Sequence, residues 1–96
     1  MGGRKVTDSR LVVEFRGEEF EVDKRALESF KVQKAMACAG EDAAKAFWAI
    51  DMICCGRSDE YMSRIPDGDG NVSELGCTDA DFAAFMSAVS EVASKN

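Results

Sequence analysis

Histidine is absent from this chain of 96 residues, and proline occurs once. Histidine is the side chain most often used as a general base, as a metal ligand and as the activator of a serine or cysteine nucleophile. Its absence disfavours the common classes of hydrolase, because these enzymes use histidine in one of those roles. We therefore expect a protein that is not an enzyme and that carries no cofactor.

Long apolar runs are missing as well. No stretch approaches the roughly 18 apolar residues that cross a bilayer, and residues 1–10 lack the apolar core of a secretion signal. The four cysteines, Cys38, Cys54, Cys55 and Cys77, include no Cys-x-x-Cys spacing, which disfavours a zinc site and a disulfide framework. These absences predict a cytoplasmic protein with reduced thiols and no membrane contact.

Basic residues are outnumbered by acidic ones, 12 to 18, and the formal net charge is -6. Binding to a phosphate backbone needs clustered Lys and Arg, so nucleic acid is not an expected partner. An acidic decoy that mimics nucleic acid and inhibits a host enzyme remains an alternative. With 46% apolar and 31% charged residues, the composition predicts one globular domain. We place this domain at residues 11–96, after a flexible N-terminal lead at residues 1–10.

Alternating apolar residues predict a β-hairpin near the N-terminus. The apolar positions are Leu11, Val13, Phe15, Phe20 and Val22. A two-residue turn at Arg16-Gly17 pairs Val13 with Phe20 and brings all five apolar side chains to one face. Because two strands alone are not stable, helices are expected to cover that face.

Helical spacing and capping residues predict four helices after the hairpin. The first, at residues 25–39 with Phe30 among its apolar positions, is capped by Asp23. The second runs from residues 41–42 to Cys55, the short third is capped by Ser58, and the fourth follows a Thr78/Asp81 capping box. The predicted fold is α+β, an N-terminal β-hairpin packed on a small bundle of about four α-helices.

The second predicted helix is apolar on two sides. One face contains Ala43, Ala46, Phe47, Ile50, Ile53 and Cys54, and the other contains Ala44, Trp48, Met52 and Cys55. In one interpretation the helix is central and both faces are covered within the fold. In the other, the second face is exposed and binds another chain, since aromatic and Met side chains are favoured in interface cores. The candidate protein-binding residues are Ala44, Trp48, Met52 and Cys55.

Two features leave a calcium- or redox-responsive regulator open as an alternative function. Residues 67–71 supply oxygen ligands at positions one, three and five of a calcium loop, but Val72 and Thr78 replace the required Gly and bidentate Glu. A polar turn is therefore the preferred interpretation. Cys77 precedes the last predicted helix, whose positive dipole end lowers a thiol pKa, so it is the thiol expected to be most reactive if it is exposed.

The order of elements resembles the small tail assembly chaperones of long-tailed bacteriophages. The segments that carry the resemblance are Val13 to Val22, Ser58-Asp59-Glu60-Tyr61, and Asp67 to Val72 leading to Asp81 to Met86. Together with their spacing they cover most of the chain from about residue 11 to 92. The chain departs from the family pattern in the Cys-rich residues 52–55 and in a longer lead before the hairpin.

The resemblance implies a chaperone that binds the long helical tape measure protein, keeps it soluble and helps to recruit the tail tube protein. Such chaperones act in the host bacterial cytoplasm and are absent from the finished virion. Weak self-association of the chain is left open. A non-catalytic, acidic protein with a two-faced helix agrees with this role.

Overall fold

The computed structural model describes residues 10–95, so residues 1–9 of the predicted flexible lead lie outside the described residues. The elements in chain order are β1 (Arg10–Phe15), β2 (Glu18–Asp23), α1 (Lys24–Glu28), α2 (Phe30–Ala37), α3 (Ala43–Ile53), α4 (Ser58–Arg64) and α5 (Asp79–Lys95). The predicted α+β architecture, with a hairpin followed by a small group of helices, is confirmed.

The hairpin has the predicted register. Val13 lies opposite Phe20 and Leu11 opposite Val22, and the strand starts at Arg10, which pairs with Asp23. Arg16 and Gly17 both have positive φ, 52° and 86°. Positive φ at both central residues is the type I′ turn whose twist matches that of paired strands.

The core forms where the apolar face of the hairpin meets α4 and α5. Phe20 makes edge-to-face contacts with Tyr61 of α4 and Phe85 of α5, with ring centroids 5.1 and 5.0 Å away. Val13, Tyr61 and Phe85 are fully buried. Burial of large aromatic side chains supplies much of the apolar area that stabilises a domain of this size.

The predicted helix over residues 25–39 is wrong in one respect, because Ser29 divides it into α1 and α2. Ser29 has extended backbone angles, and its Oγ accepts a hydrogen bond from the Val32 N–H at 3.2 Å. Serine competes with the helical backbone in this way, and here it caps a new helix. Phe30, one of the apolar positions of the predicted helix, is 77% exposed.

The predicted cap of the short helix is also wrong. Ser58 is the first residue of α4, and its Oγ donates to Oδ1 of Asp51 in α3 at 2.8 Å. The same Oδ1 accepts from the Ser58 N–H at 3.3 Å. A side chain of the preceding helix therefore satisfies the N-terminus of α4. Sequence patterns around a helix start do not reveal a partner seven residues away.

The connection into α5 follows the prediction. Asp67 Oδ1 accepts hydrogen bonds from the backbone N–H groups of Asp69 and Asn71, which closes the expected polar turn. Thr78 Oγ1 accepts from the Asp81 N–H at 3.1 Å and donates to Asp81 Oδ2 at 3.0 Å. Within residues 10–95, no helix combines the length and apolar character that a bilayer crossing requires.

Candidate functional site

An apolar groove of about 820 Å³ lies between α3 and α5, and we call it the α3–α5 groove. Its principal apolar lining residues are Met36, Phe47, Ile50, Met62, Phe82 and Met86. Asp79, Ser87 and Ser90 lie at its polar positions. The groove has the composition of a binding surface for an apolar helix or side chain, with few polar groups to be desolvated.

Helix α5 forms one wall because its apolar stripe is wider than the hairpin can cover. Phe85 and Val89 are fully buried, whereas Phe82 and Met86 are only partly buried and line the groove. Part of the apolar stripe of α5 is therefore core, and its outer edge is left for another contact.

Helix α3 forms the opposite wall. Ala46, Ala49 and Ile50 are buried, but Phe47 is 60% exposed at the groove. The sequence had placed Phe47 on the face that packs inside the domain, and this assignment is wrong. A helix of 11 residues presents about three turns, and the elements packed against α3, which are α1, α2 and β2, leave Phe47 exposed.

Methionine is concentrated in the groove. Met36, Met62 and Met86 line it from three different helices and are three of the five methionines in the chain. Methionine is unbranched and polarisable, so it adapts to partners of different shape. Sequence reasoning missed this site because each methionine is isolated on its own element. The available signal was the surplus of apolar residues at the edge of the α5 stripe.

The predicted binding residues on the second face of α3 lie in two different environments, three of them on the helix and Cys55 beyond its end. Ala44 is exposed, and Trp48 and Met52 are 40% and 43% exposed. These three residues are four apart and form one row along α3. Exposure of this row agrees with the second of the two interpretations of α3, in which that face is free to bind.

Cys55 does not continue this row. It lies beyond the end of α3 with φ 60°, is half-buried, and its Sγ is 3.8 Å from the carbonyl oxygen of Glu21 in β2. The structure therefore separates Cys55 from Trp48 and Met52, with which the helical pattern had grouped it. The helix ends at Ile53 because Cys55 and Gly56 both adopt left-handed backbone angles.

A second, smaller cleft of about 330 Å³ lies between α2 and α3. It is lined by Lys31, Lys34, Ala35, Cys38, Lys45 and Trp48, and we call it the lysine cleft. The Lys31 ammonium lies 5.5 Å from the centroid of the Trp48 ring, within the range of a cation–π contact. Trp48, which was expected to be an apolar anchor, thus lines a cleft with three lysines and contacts the ammonium group of one of them.

Three of the four thiols, those of Cys54, Cys55 and Cys77, are poorly suited to nucleophilic chemistry. Burial, followed by the neighbouring Cys55 and Asp51, raises the pKa of Cys54 to about 12. Burial also raises the pKa of Cys77, so the expectation that the helix start lowers it is wrong. The thiolate is the reactive form, and a raised pKa lowers its population. Among residues 10–95, no group of three or more His, Cys, Asp or Glu side chains is arranged to hold a metal ion.

Comparison with known proteins adds no relative to this picture. The chain matches no protein-family model, no curated protein and no solved structure.

Proposed function

We propose that this protein is a non-catalytic binding protein that holds an amphipathic helix of a partner in the α3–α5 groove. The observation that carries the proposal is the open apolar groove of about 820 Å³ with Phe47 exposed at its wall. Exposed contiguous apolar surface on a small domain typically marks an interaction site.

The shape and chemistry of the groove favour a helix as its occupant. Two helices, α3 and α5, form its walls, and a helix docked between them would present anchors at i, i+3, i+4 and i+7. Met36, Met62 and Met86 can repack around different anchors, so affinity would depend more on an apolar stripe than on one sequence. This property suits a chaperone that contacts many segments of one long chain.

The resemblance to small phage tail assembly chaperones supplies the proposed partner. In this proposal the groove binds helical segments of a tape measure protein, keeps that protein soluble in the host cytoplasm and assists the addition of tail tube protein. Several copies would coat one tape measure chain, each holding a short segment. The absence of His from the chain and the raised thiol pKa values support a role without catalysis.

Co-expression with the tape measure protein of the same genome tests the proposal. The groove variant is Phe47→Ser, and the matched control is Phe30→Ser, because both side chains are exposed phenylalanines and Phe30 lies outside the groove. We expect the wild type and Phe30→Ser to keep the tape measure protein in the soluble fraction and Phe47→Ser to lose this effect.

The outcomes distinguish an error in the proposed partner from an error in the proposed binding surface. A tape measure protein that stays insoluble beside the wild type would show that the partner is wrong. Equal rescue by Phe47→Ser would show that the groove is the wrong surface. Methyl NMR gives a second readout, since binding in the groove should shift the Met36, Met62 and Met86 signals more than that of Met52.

A further inference from the structure

We propose that the lysine cleft binds a glutamate- or aspartate-rich segment of a protein partner. Lys31, Lys34 and Lys45 would contact the carboxylates, and Trp48 would pack against the methylene groups of the same side chains. This inference goes beyond the proposed function, because it assigns a second binding surface and the sign of charge that the surface selects.

The first support is the placement of the three lysines. Lys31 and Lys34 are three residues apart on α2, and Lys45 lies on α3 three residues before Trp48, so both helices direct these side chains into one cleft. The cleft is about 330 Å³, enough for a few side chains and too small for a folded element. Trp48 contributes a planar apolar surface to the cleft.

The second support is the absence of internal partners for these charges. Each arginine in the described range lies within 4.0 Å of a carboxylate oxygen, as in the pairs Arg16–Asp81 and Arg57–Glu60. No carboxylate of residues 10–95 lies that close to Lys31, Lys34 or Lys45. In a chain with a net charge of -6, three lysines that line one cleft are a local reversal of the overall charge.

The overall charge also restricts the kind of anion. A long polyanion such as nucleic acid would meet repulsion from the rest of the acidic surface, whereas a short acidic segment would meet only the cleft. Lysine ammonium groups act as point charges, so their number and placement select the sign of the ligand's charge. Glutamate also brings two methylene groups, which the exposed indole of Trp48 can contact.

The position of the cleft relates it to the α3–α5 groove. Phe47 lines the groove and Trp48 lines the cleft, and successive helical residues point about 100° apart. A partner that crosses α3 would therefore reach both surfaces, with an apolar helix in one and an acidic stretch in the other. The two surfaces share no lining residue, so they can be tested separately.

The single tryptophan of the chain provides the readout, because Trp48 itself lines the cleft. The probes are two synthetic peptides of alternating Glu and Ala or alternating Gln and Ala, titrated against the full chain while Trp48 fluorescence is recorded. We expect saturable binding of the Glu peptide and no binding of the Gln peptide. At high salt the Glu peptide should bind at least about tenfold more weakly, because screening shortens the range of the charges.

The variants are Lys34→Gln/Lys45→Gln and the control Lys95→Gln, which removes a lysine charge outside the cleft. Lys31 is left unchanged because it contacts the fluorophore. We expect the double variant to bind the Glu peptide about tenfold or more weakly than the wild type, and Lys95→Gln to change the affinity less than about twofold. Circular dichroism checks that both variants are folded. Phe47→Ser should bind the Glu peptide as the wild type does, whatever its effect on the groove.

Three results would overturn the inference. The first is equal affinity for the Glu and Gln peptides, and the second is unchanged binding by the folded double variant. The third is tighter binding of inorganic tripolyphosphate than of the Glu peptide, which would assign the cleft to phosphate anions instead of acidic protein segments.

Discussion

The Tyr61 hydroxyl satisfies both backbone polar groups of Glu21. It donates to the Glu21 carbonyl oxygen at 2.6 Å and accepts from the Glu21 N–H at 3.1 Å. Glu21 lies opposite Val12, a position from which its backbone groups point away from β1. A side chain of α4 thus closes the free edge of a two-stranded sheet and packs its buried ring against Phe20.

Tyr61→Phe should therefore destabilise the fold although the ring is retained. Removal of the hydroxyl leaves the N–H and carbonyl of Glu21 without this partner, and the expected loss is about 1–3 kcal/mol in the free energy of unfolding. Urea denaturation of the wild type and the variant measures the difference. A change below about 0.3 kcal/mol would mean that water replaces the hydroxyl at no cost.

Phe85→Ala should be the more damaging substitution. Phe85 is fully buried and makes ring contacts with Phe15, Phe20 and Tyr61, so its truncation leaves a cavity that costs about 3–5 kcal/mol. Ser87→Ala, two residues further on the exposed side of α5, is the control and should be near neutral. Similar small effects of both in urea melts would show that the α5 stripe is not core.

Acid should weaken the contact between the hairpin turn and α5. Hydrogen bonds from Arg16, and then from Thr78, hold the pKa of Asp81 below its ordinary value. A carboxyl with a lowered folded-state pKa stabilises the fold above its unfolded pKa, about 3.9, and loses this effect as the pH falls through the folded value. Asp81→Asn should therefore be less stable than the wild type at pH 7.

The difference between Asp81→Asn and the wild type should shrink as the pH is lowered below about 3.9. Urea midpoints at several pH values for both proteins measure it, and Asp69→Asn, in the exposed turn, is the control. A difference that stays constant down to about pH 2 would show that Asp81 acts through its shape and not through its charge.

Alkylation should be slow at the thiols whose pKa is raised. Burial is the largest cause of the raised pKa at Cys54, Cys55 and Cys77, and Cys54 has the highest value, about 12. At pH 8 the native chain should react with iodoacetamide at these three positions more slowly than the unfolded chain, with Cys54 last. Mass spectrometry of the modified peptides gives the order. Faster reaction of Cys77 in the native state would favour the redox-responsive alternative.

Trp48→Ala/Met52→Ala should fold with little loss of stability, because both side chains are more than a third exposed. In the tape measure co-expression, a loss of rescue equal to that of Phe47→Ser would show that the partner contacts both sides of α3. Full rescue by the double variant would show that the tape measure protein does not need the Trp48 side of α3, and would leave the α3–α5 groove as the binding surface. The same assay with Lys34→Gln/Lys45→Gln then tells whether charge or apolar contact at Trp48 matters.

Two features that depend on residues close in the chain were predicted correctly. The alternation of apolar residues and the two-residue turn at Arg16-Gly17 determine the hairpin register, because a shift by one residue would turn the apolar face outward. The Thr78/Asp81 capping box starts α5 because its hydrogen bonds connect residues only three apart. Local geometry was sufficient in both cases.

Features that depend on contacts between distant elements were decided by the tertiary structure. A helical pattern shows that α3 has two apolar faces, but only the placement of α2 and the hairpin decides that Phe47 stays exposed while Ala49 is buried. Likewise, no local pattern predicts that Met36, Met62 and Met86 meet in one groove, or that Lys34 and Lys45 meet beside Trp48. The sequence by itself determined the elements and their apolar faces, since hydrogen-bond geometry and side-chain periodicity act over a few residues. Which part of each face remains open was decided only by the packing of the whole chain, because a small core cannot cover every apolar face that its helices present.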